Sequence, residues 1–365
     1  MKITLSQAEL AKILLAWGLD LNEGSAAAHG NGHINLTVLV AIGSQKYILQ
    51  RINRNVFRDP ASLMENVVRV TEYLAERATD ARTVMRVFPT KDGKFYVVDG
   101  EGEYWRLLQF VEDAICLEAP ESREDFYQSA VAFGRFQYAL KDFPSHTLVE
   151  TIPDFHNTEK RFEAFMAAVK ADKVGRCASV AEEIQFYIDN ADFYGTLARA
   201  HASGILPLRV THNDTKINNV MLDAKTRTAL CVIDLDTIMP GFSVTDFGDS
   251  IRFGANTGAE DEKDLSKVDL DLSLFETYAR GYLDGCGGGL SDEEVMLMPE
   301  GAKMMTLECG MRFLTDYLCG DTYFRVAYPE HNLVRARTQI KLARRMTEEF
   351  DSMKRIIRTI LEESK

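Results

Sequence analysis

Between Thr211 and Asp223 the chain reads THNDTKINNVMLD, and after the turn AKTRTA it reads LCVIDLD, from Leu230 to Asp236. Two short apolar runs on either side of a polar turn are the pattern of a β-hairpin. The sequence around them is of another kind. SREDFYQSAVAFGRFQYALKD, RFEAFMAAVKAD and VAEEIQFYIDNADFYGTLARAHAS space their apolar residues by three and four, as helices do. The stretch from Leu265 to Lys365 is nearly all helical pattern, broken at Gly285 to Gly289 and near Tyr328-Pro329. A β-hairpin set among helices is a strong constraint. It brings the loop HNDTKIN and the end DLD to one edge of a small sheet, where Asp214, Asn219 and Asp234 can converge.

The first part of the chain has a different texture. LTVLVAIGSQKYILQRI reads as two strands turning at Gly43-Ser44, preceded by the turn HGNGHIN. ASLMENVVRVTEYLAER has helical spacing, and KFYVVDGEGEYWRLLQFVED reads as two more strands around Gly-Glu-Gly. The expectation is a small antiparallel sheet with one helix over residues 1–112, then a helical region over 113–365.

The converging polar set suits phosphoryl transfer from a nucleotide. A hydroxyl nucleophile needs a carboxylate to orient it and accept its proton, and Asp214 can do so. A cation between phosphates needs hard oxygen ligands; Asn219 offers a carbonyl and Asp234 a carboxylate. Protein kinases divide the work in this way, with an aspartate, an asparagine five residues later, and an aspartate at a strand end. Asn and Asp also favour ordinary turns, but a turn alone does not explain all three positions. Asp246-Phe247-Gly248 spells a kinase metal motif, yet no apolar strand leads into it. Asp246 or Asp249 is expected to cap or anchor the following helix, and Asp236 to be a supporting or second-metal acid.

THNDTKINN, VIDLDTIMPG and DFGDSIRFGA resemble the aminoglycoside phosphotransferase and choline kinase superfamily. HGNGHIN, YILQRINRNVF and GMRFLTDYLCGDTYFRV are similar to the N-acetylhexosamine 1-kinases within it. The resemblance implies an α+β, two-lobed protein-kinase-like fold, with a small antiparallel N-lobe and a mostly helical C-lobe. It implies ATP in the cleft, Asp214 as base, Asn219 and Asp234 on Mg²⁺, and His212 bracing the loop. The acceptor it implies is GlcNAc or GalNAc, phosphorylated on the anomeric 1-hydroxyl. Homoserine, choline and aminoglycoside kinases are neighbours in the same class, and a non-catalytic pseudokinase is a reading from another. Gly32 and Asn35 in the glycine-bearing turn, Arg51, and the backbone near Gln109 and Val111 are the expected nucleotide contacts. The usual third-strand lysine is missing, and Gln50 or Arg51 stands there, with Glu65 or Glu72 as its acidic partner. Arg312 and Tyr323 are the expected sugar contacts, while Phe110 and Phe133 read as core.

Bulk properties narrow the partners. Lys+Arg is 42 against 55 Asp+Glu, a net charge of -13. That argues against nucleic acid or an anionic membrane as partner, though not against a phosphorylated ligand in a locally basic pocket. The six cysteines are scattered, without metal-binding spacing, as reduced thiols of a cytoplasmic protein would be. The N-terminus reads as a short amphipathic helix and not a signal peptide, and no apolar run is long enough to span a bilayer.

Overall fold

The computed structural model describes residues 6–30 and 34–364. Strand β1 (Gly24–Ala28), β2 (Leu36–Ile42), β3 (Gln45–Arg51), β4 (Val97–Val98) and β5 (Tyr104–Gln109) form one antiparallel sheet in the order β1-β2-β3-β5-β4. Gly43 turns β2 into β3 with φ of +57°, a conformation glycine enters without a Cβ clash. Strand alternation gives this sheet two faces. On one, Val38, Val40, Leu49, Trp105 and Leu107 pack with Leu10, Ile13 and Leu14 of helix α1 (Gln7–Leu14). On the other, Ile48 and Leu108 join the main core with Leu63, Met64, Val67 and Val70 of α2 (Pro60–Ala75). Asp59 caps α2 by accepting from the Ser62 amide, and Pro60 sits where its missing N–H costs nothing.

The remainder is largely helical. It runs through α3 (Arg123–Ala139), α4 (Thr158–Ala171), α5 (Ala181–Asp189), α6 (Ala191–Tyr194) and α7 (Thr196–Ala202). After the β patch come α8 (Ser243–Gly254), α9 (Leu272–Cys286), α10 (Asp292–Met296), α11 (Met298–Cys319), α12 (His331–Glu348) and α13 (Phe350–Glu363). In the patch, β8 (Val220–Asp223) pairs antiparallel with β9 (Ala229–Val232), and β6 (Ala114–Cys116) adds on the far side of β8. A separate pair, β7 (Arg209–Thr211) with β10 (Met239–Gly241), closes the base of the loop between β7 and β8.

One close approach positions the site. A methyl group at Gly248 would come within 2.3 Å of the Gly301 carbonyl oxygen, so α8 and α11 touch backbone to backbone. Side chains that α8 and α11 present near the loop are thereby held at short range. Among the described residues no helix is long and apolar enough to cross a membrane. All six cysteines are free thiols.

Candidate active site

The loop between β7 and β8 carries His212, Asp214 and Asn219, and its shape is fixed by bonds to its own neighbours. Asn213 adopts φ of +64°, which a short polar side chain tolerates best after glycine. Its amide nitrogen donates to the Thr237 carbonyl at 2.7 Å, while the Thr237 hydroxyl donates to the His212 carbonyl at 2.6 Å. His212 is buried against Phe133 and Phe136. Its Nε2 lies 2.8 Å from the Ile233 carbonyl oxygen and its Nδ1 3.3 Å from the Asp214 amide nitrogen. Those partners require Nε2 to carry the proton and Nδ1 to accept. The histidine is therefore consumed as a brace.

The next link runs to the metal-ligand candidates. Ile233 donates its N–H to the Asn219 carbonyl at 2.9 Å, so the residue before Asp234 is tied to both ends of the loop. Asn219 donates Nδ2 to the Asp214 carbonyl at 2.8 Å and to its carboxylate Oδ2 at 3.0 Å. With its nitrogen committed there, the oxygen end of Asn219 is the one a hard cation would take.

Helix α8 holds the loop from beneath. The buried Asp246 carboxylate accepts from the His212 and Asn213 amides, both at 2.8 Å, and from Gln137 Nε2 at 3.1 Å. Asp249 accepts from the Thr215 amide at 3.2 Å, and Ser250 donates to the Thr215 carbonyl at 2.6 Å. Asp246 or Asp249 was expected to cap or anchor the following helix; both lie inside α8, which has no side-chain cap, and both carboxylates accept from loop amides, because buried backbone N–H groups in a dry interior need an anionic acceptor.

Charge is concentrated where chemistry would occur. Asp214 is 30% exposed, and Lys216 Nζ lies 2.8 Å from its Oδ1. Burial pulls the Lys216 ammonium down, but the Asp214 and Asp249 carboxylates outweigh it, and the lysine is held charged. Asp234, just past the end of β9, is solvent-exposed with φ of +59°. The protein around it takes away part of its water, and the Asp236 and Asp214 carboxylates repel it. Together they raise its pKa to about 6, against the opposing pull of Arg106 and His212. Among the described residues no three His, Cys, Asp or Glu side chains gather into a closed metal site. A cation shared with phosphates needs no such cage. One crowded carboxylate with an asparagine oxygen is the donor set Mg²⁺ uses, and the unfavourable charge on Asp234 is what a dication would relieve.

The sheet contributes the opposite wall, and here several expectations are corrected. Arg106 of β5 is buried and donates to the Asp236 carboxylate, while its Nε and Nη2 both donate to Gln50 Oε1, at 3.1 and 2.8 Å. Asn35 donates to the other Asp236 oxygen at 2.6 Å and accepts from the Asn53 amide at 3.0 Å. Asp236 is thus engaged by the sheet and is not a second-metal ligand, and Asn35 is spent on it. Arg51 pairs across the strands with Trp105, while Gln50 pairs with Arg106. Its guanidinium lies over the Trp105 ring, on the α1 face, so it is turned away from phosphate. Glu65 and Glu72 are both solvent-exposed on α2, and among the described residues neither forms an ion pair with a cation of the sheet. Gly32 lies outside the described residues.

A model of the phosphotransferase enzyme family matches residues 25–285, well over half of the chain and all of the loop just described. The chain belongs to the phosphotransferase enzyme family. Solved structures share the fold of this phosphotransferase at low identity. Aminoglycoside 2'-phosphotransferase-IIIa, solved as a GDP complex, has a TM-score of 0.61 at 12% identity, covering 92% of this chain and 99% of that one. A microcompartment-associated aminopropanol kinase has a TM-score of 0.60 at 15% identity, over 95% and 98%. An ethanolamine kinase from Plasmodium vivax has a TM-score of 0.58 at 14% identity, over 87% and 83%. Their shared architecture is that of protein-kinase-like phosphotransferases.

In this phosphotransferase, Gln109 ends β5 and Val111 is buried just beyond it. The Gln109 side chain donates Nε2 to the Ala81 carbonyl at 3.2 Å, while its Oε1 is left without a partner. Phe133 is fully buried, and Phe110 is half-buried beneath Lys46. On the other side of the loop, His156 Nε2 lies 3.4 Å from the Asn213 carbonyl oxygen and its Nδ1 2.7 Å from buried Glu308. One turn beyond Glu308, the Arg312 guanidinium lies over Phe155, 5.3 Å from the ring centre, and near Phe324 at 5.6 Å. Tyr323 is 67% exposed beside Phe324, on a loop whose amides bond to Asp316. Arg106 and His156 escaped the reading of the sequence. Arg106 had a signal: a lone cation inside the apolar strand YWRLLQ must find a buried partner. His156, in an irregular segment, had none.

Proposed function

We propose that this phosphotransferase is an ATP- and Mg²⁺-dependent kinase that phosphorylates the anomeric 1-hydroxyl of N-acetylhexosamines. The observation that carries the proposal is the arrangement of Asp214, partly exposed, bonded by Asn219 and within repulsive range of Asp234. Nucleotide as donor is supported by structural relatives solved with GDP and with ADP. We take residues 1–112 as the nucleotide lobe and 113–365 as the acceptor lobe, since β5 ends at Gln109 and β6 at Ala114 already belongs to the other sheet.

Asp214 orients the sugar hydroxyl and accepts its proton as the oxygen attacks. Lys216 pairs with that carboxylate and adds positive charge beside the transferring group. Bound Mg²⁺ would supply charge neutralisation for the phosphates, held by Asp234 and the Asn219 oxygen. Arg106, with Gln50 and Asn35, fixes Asp236 and with it the segment carrying Asp234. The backbone at Gln109 to Val111 receives the adenine. Arg312 and Tyr323 meet the hydroxyls and the apolar face of the sugar. General-base assistance of this kind contributes about 10²–10⁴-fold, and positioning with charge stabilisation the rest.

The test is ADP release with ATP and Mg²⁺ over a panel of N-acetylhexosamines, free sugars, choline, ethanolamine and aminoglycosides. Turnover on GlcNAc or GalNAc, with ³¹P NMR placing the phosphate on the anomeric oxygen, is the expected result. Turnover confined to the amino alcohols would refute the assignment.

A further inference from the structure

Two arginines meet at Phe155 on one side of the catalytic loop. Arg161 of α4 donates Nε and Nη2 to the Phe155 carbonyl, at 3.3 and 2.9 Å, while the Arg312 guanidinium covers the ring of the same Phe155. Among the described residues neither forms an ion pair within 4 Å. Phe155 precedes His156, which touches the carbonyl of the residue before Asp214. The charged and titratable groups around the pair are Glu308 and Tyr323 on the α11 side and Asp154 and His156 on the α4 side. Glu308 already takes His156 at 2.7 Å and the Thr158 hydroxyl at 2.6 Å. Burial, and then Arg312 itself, push the Arg161 guanidinium below its usual range. Two like charges that share the neighbour Phe155 and disfavour each other are normally avoided, and in a chain of net charge -13 there is no shortage of acids to pair with them.

We propose that Arg161 is a specificity-determining residue: with Arg312 it makes the acceptor pocket repel ammonium-bearing alcohols and receive a carbonyl or carboxylate oxygen. This rests on the reading of that side of the loop as the acceptor pocket. Guanidinium groups offer forked donors that match acyl oxygens, and they penalise a cation several ångströms away by about tenfold in affinity at the dielectric of a protein surface.

The experiment compares kcat/KM for acceptors in matched pairs, GlcNAc with glucosamine and N-acetylethanolamine with ethanolamine. Wild type, Arg161→Gln and Arg161→Lys are each measured at about pH 6.5, and the sugar pair also at about pH 9, where the glucosamine amine has lost its proton while the ethanolamine amine keeps its own. Wild type should favour the acetylated member at the lower pH and narrow that preference at the higher one. Arg161→Gln should shrink the preference roughly tenfold and flatten its pH dependence, and Arg161→Lys should retain both. A preference unchanged in Arg161→Gln, or a wild type that prefers the ammonium member, overturns the inference. Preference for the acetylated member of the non-sugar pair alone would sink the sugar assignment and leave this inference standing.

Discussion

The Arg106 guanidinium of the five-stranded sheet donates to the carboxylate of Asp236, two residues past the metal-ligand candidate Asp234. Both side chains are 3% exposed, so this is a buried pair that joins sheet to catalytic segment. Removing one member of such a pair leaves a buried charge and costs about 3–5 kcal/mol. Arg106→Met should lower stability by that amount in urea unfolding and raise the KM for ATP. Adding Asp236→Asn to it should recover part of the stability but not the KM.

Asp246 is expected to matter for turnover more than for nucleotide binding. Asp246→Ala strands the buried amides of His212 and Asn213, and the loop they belong to carries the proposed base, Asp214. A displacement of about 1 Å at the reacting atoms can cost roughly 100-fold in rate. Steady-state kinetics should show kcat falling on that scale, with KM for ATP changed only a few-fold.

Asp234 gives a pH signature. Its pKa in the fold, about 6, lies above the ordinary carboxylate value of 3.8. Its protonated form is therefore the one the fold favours. The stability it contributes is full below about pH 4 and is lost as pH rises through 6. Asp234→Asn should melt higher than wild type at pH 7 without Mg²⁺, and the difference should vanish at pH 4. Calorimetric scans across that range check it. By the same sign, Mg²⁺ should bind wild type more tightly at pH 7 than at pH 5, releasing a proton as it binds.

The sequence exposed the antiparallel sheet, the α2 helix and the hairpin of β8 with β9 because their apolar periods are local. Asp214, Asn219 and Asp234 were legible for the same reason: a hairpin fixes how its two ends meet. What joins distant segments was not. The choice between Gln50 and Arg51 depended on which face of β3 met the cleft, and strand alternation gives two answers until the packing of α1 under Trp105 selects one. Arg106 lies 130 positions from its partner Asp236, and no local pattern reports such a bond. Asp246 lies on a helix 34 positions from the His212 amide it accepts from, and no local pattern reports that bond either.

Asp214 as the base that takes the acceptor proton is the centre of the account, and Asp214→Asn tests it most directly. The variant keeps the shape and can still meet Asn219 and Lys216, so ATP and Mg²⁺ should bind nearly as in wild type by calorimetry. Its single-turnover rate of phosphoryl transfer should fall by about 10²–10⁴-fold. Transfer at a rate near that of wild type would contradict it.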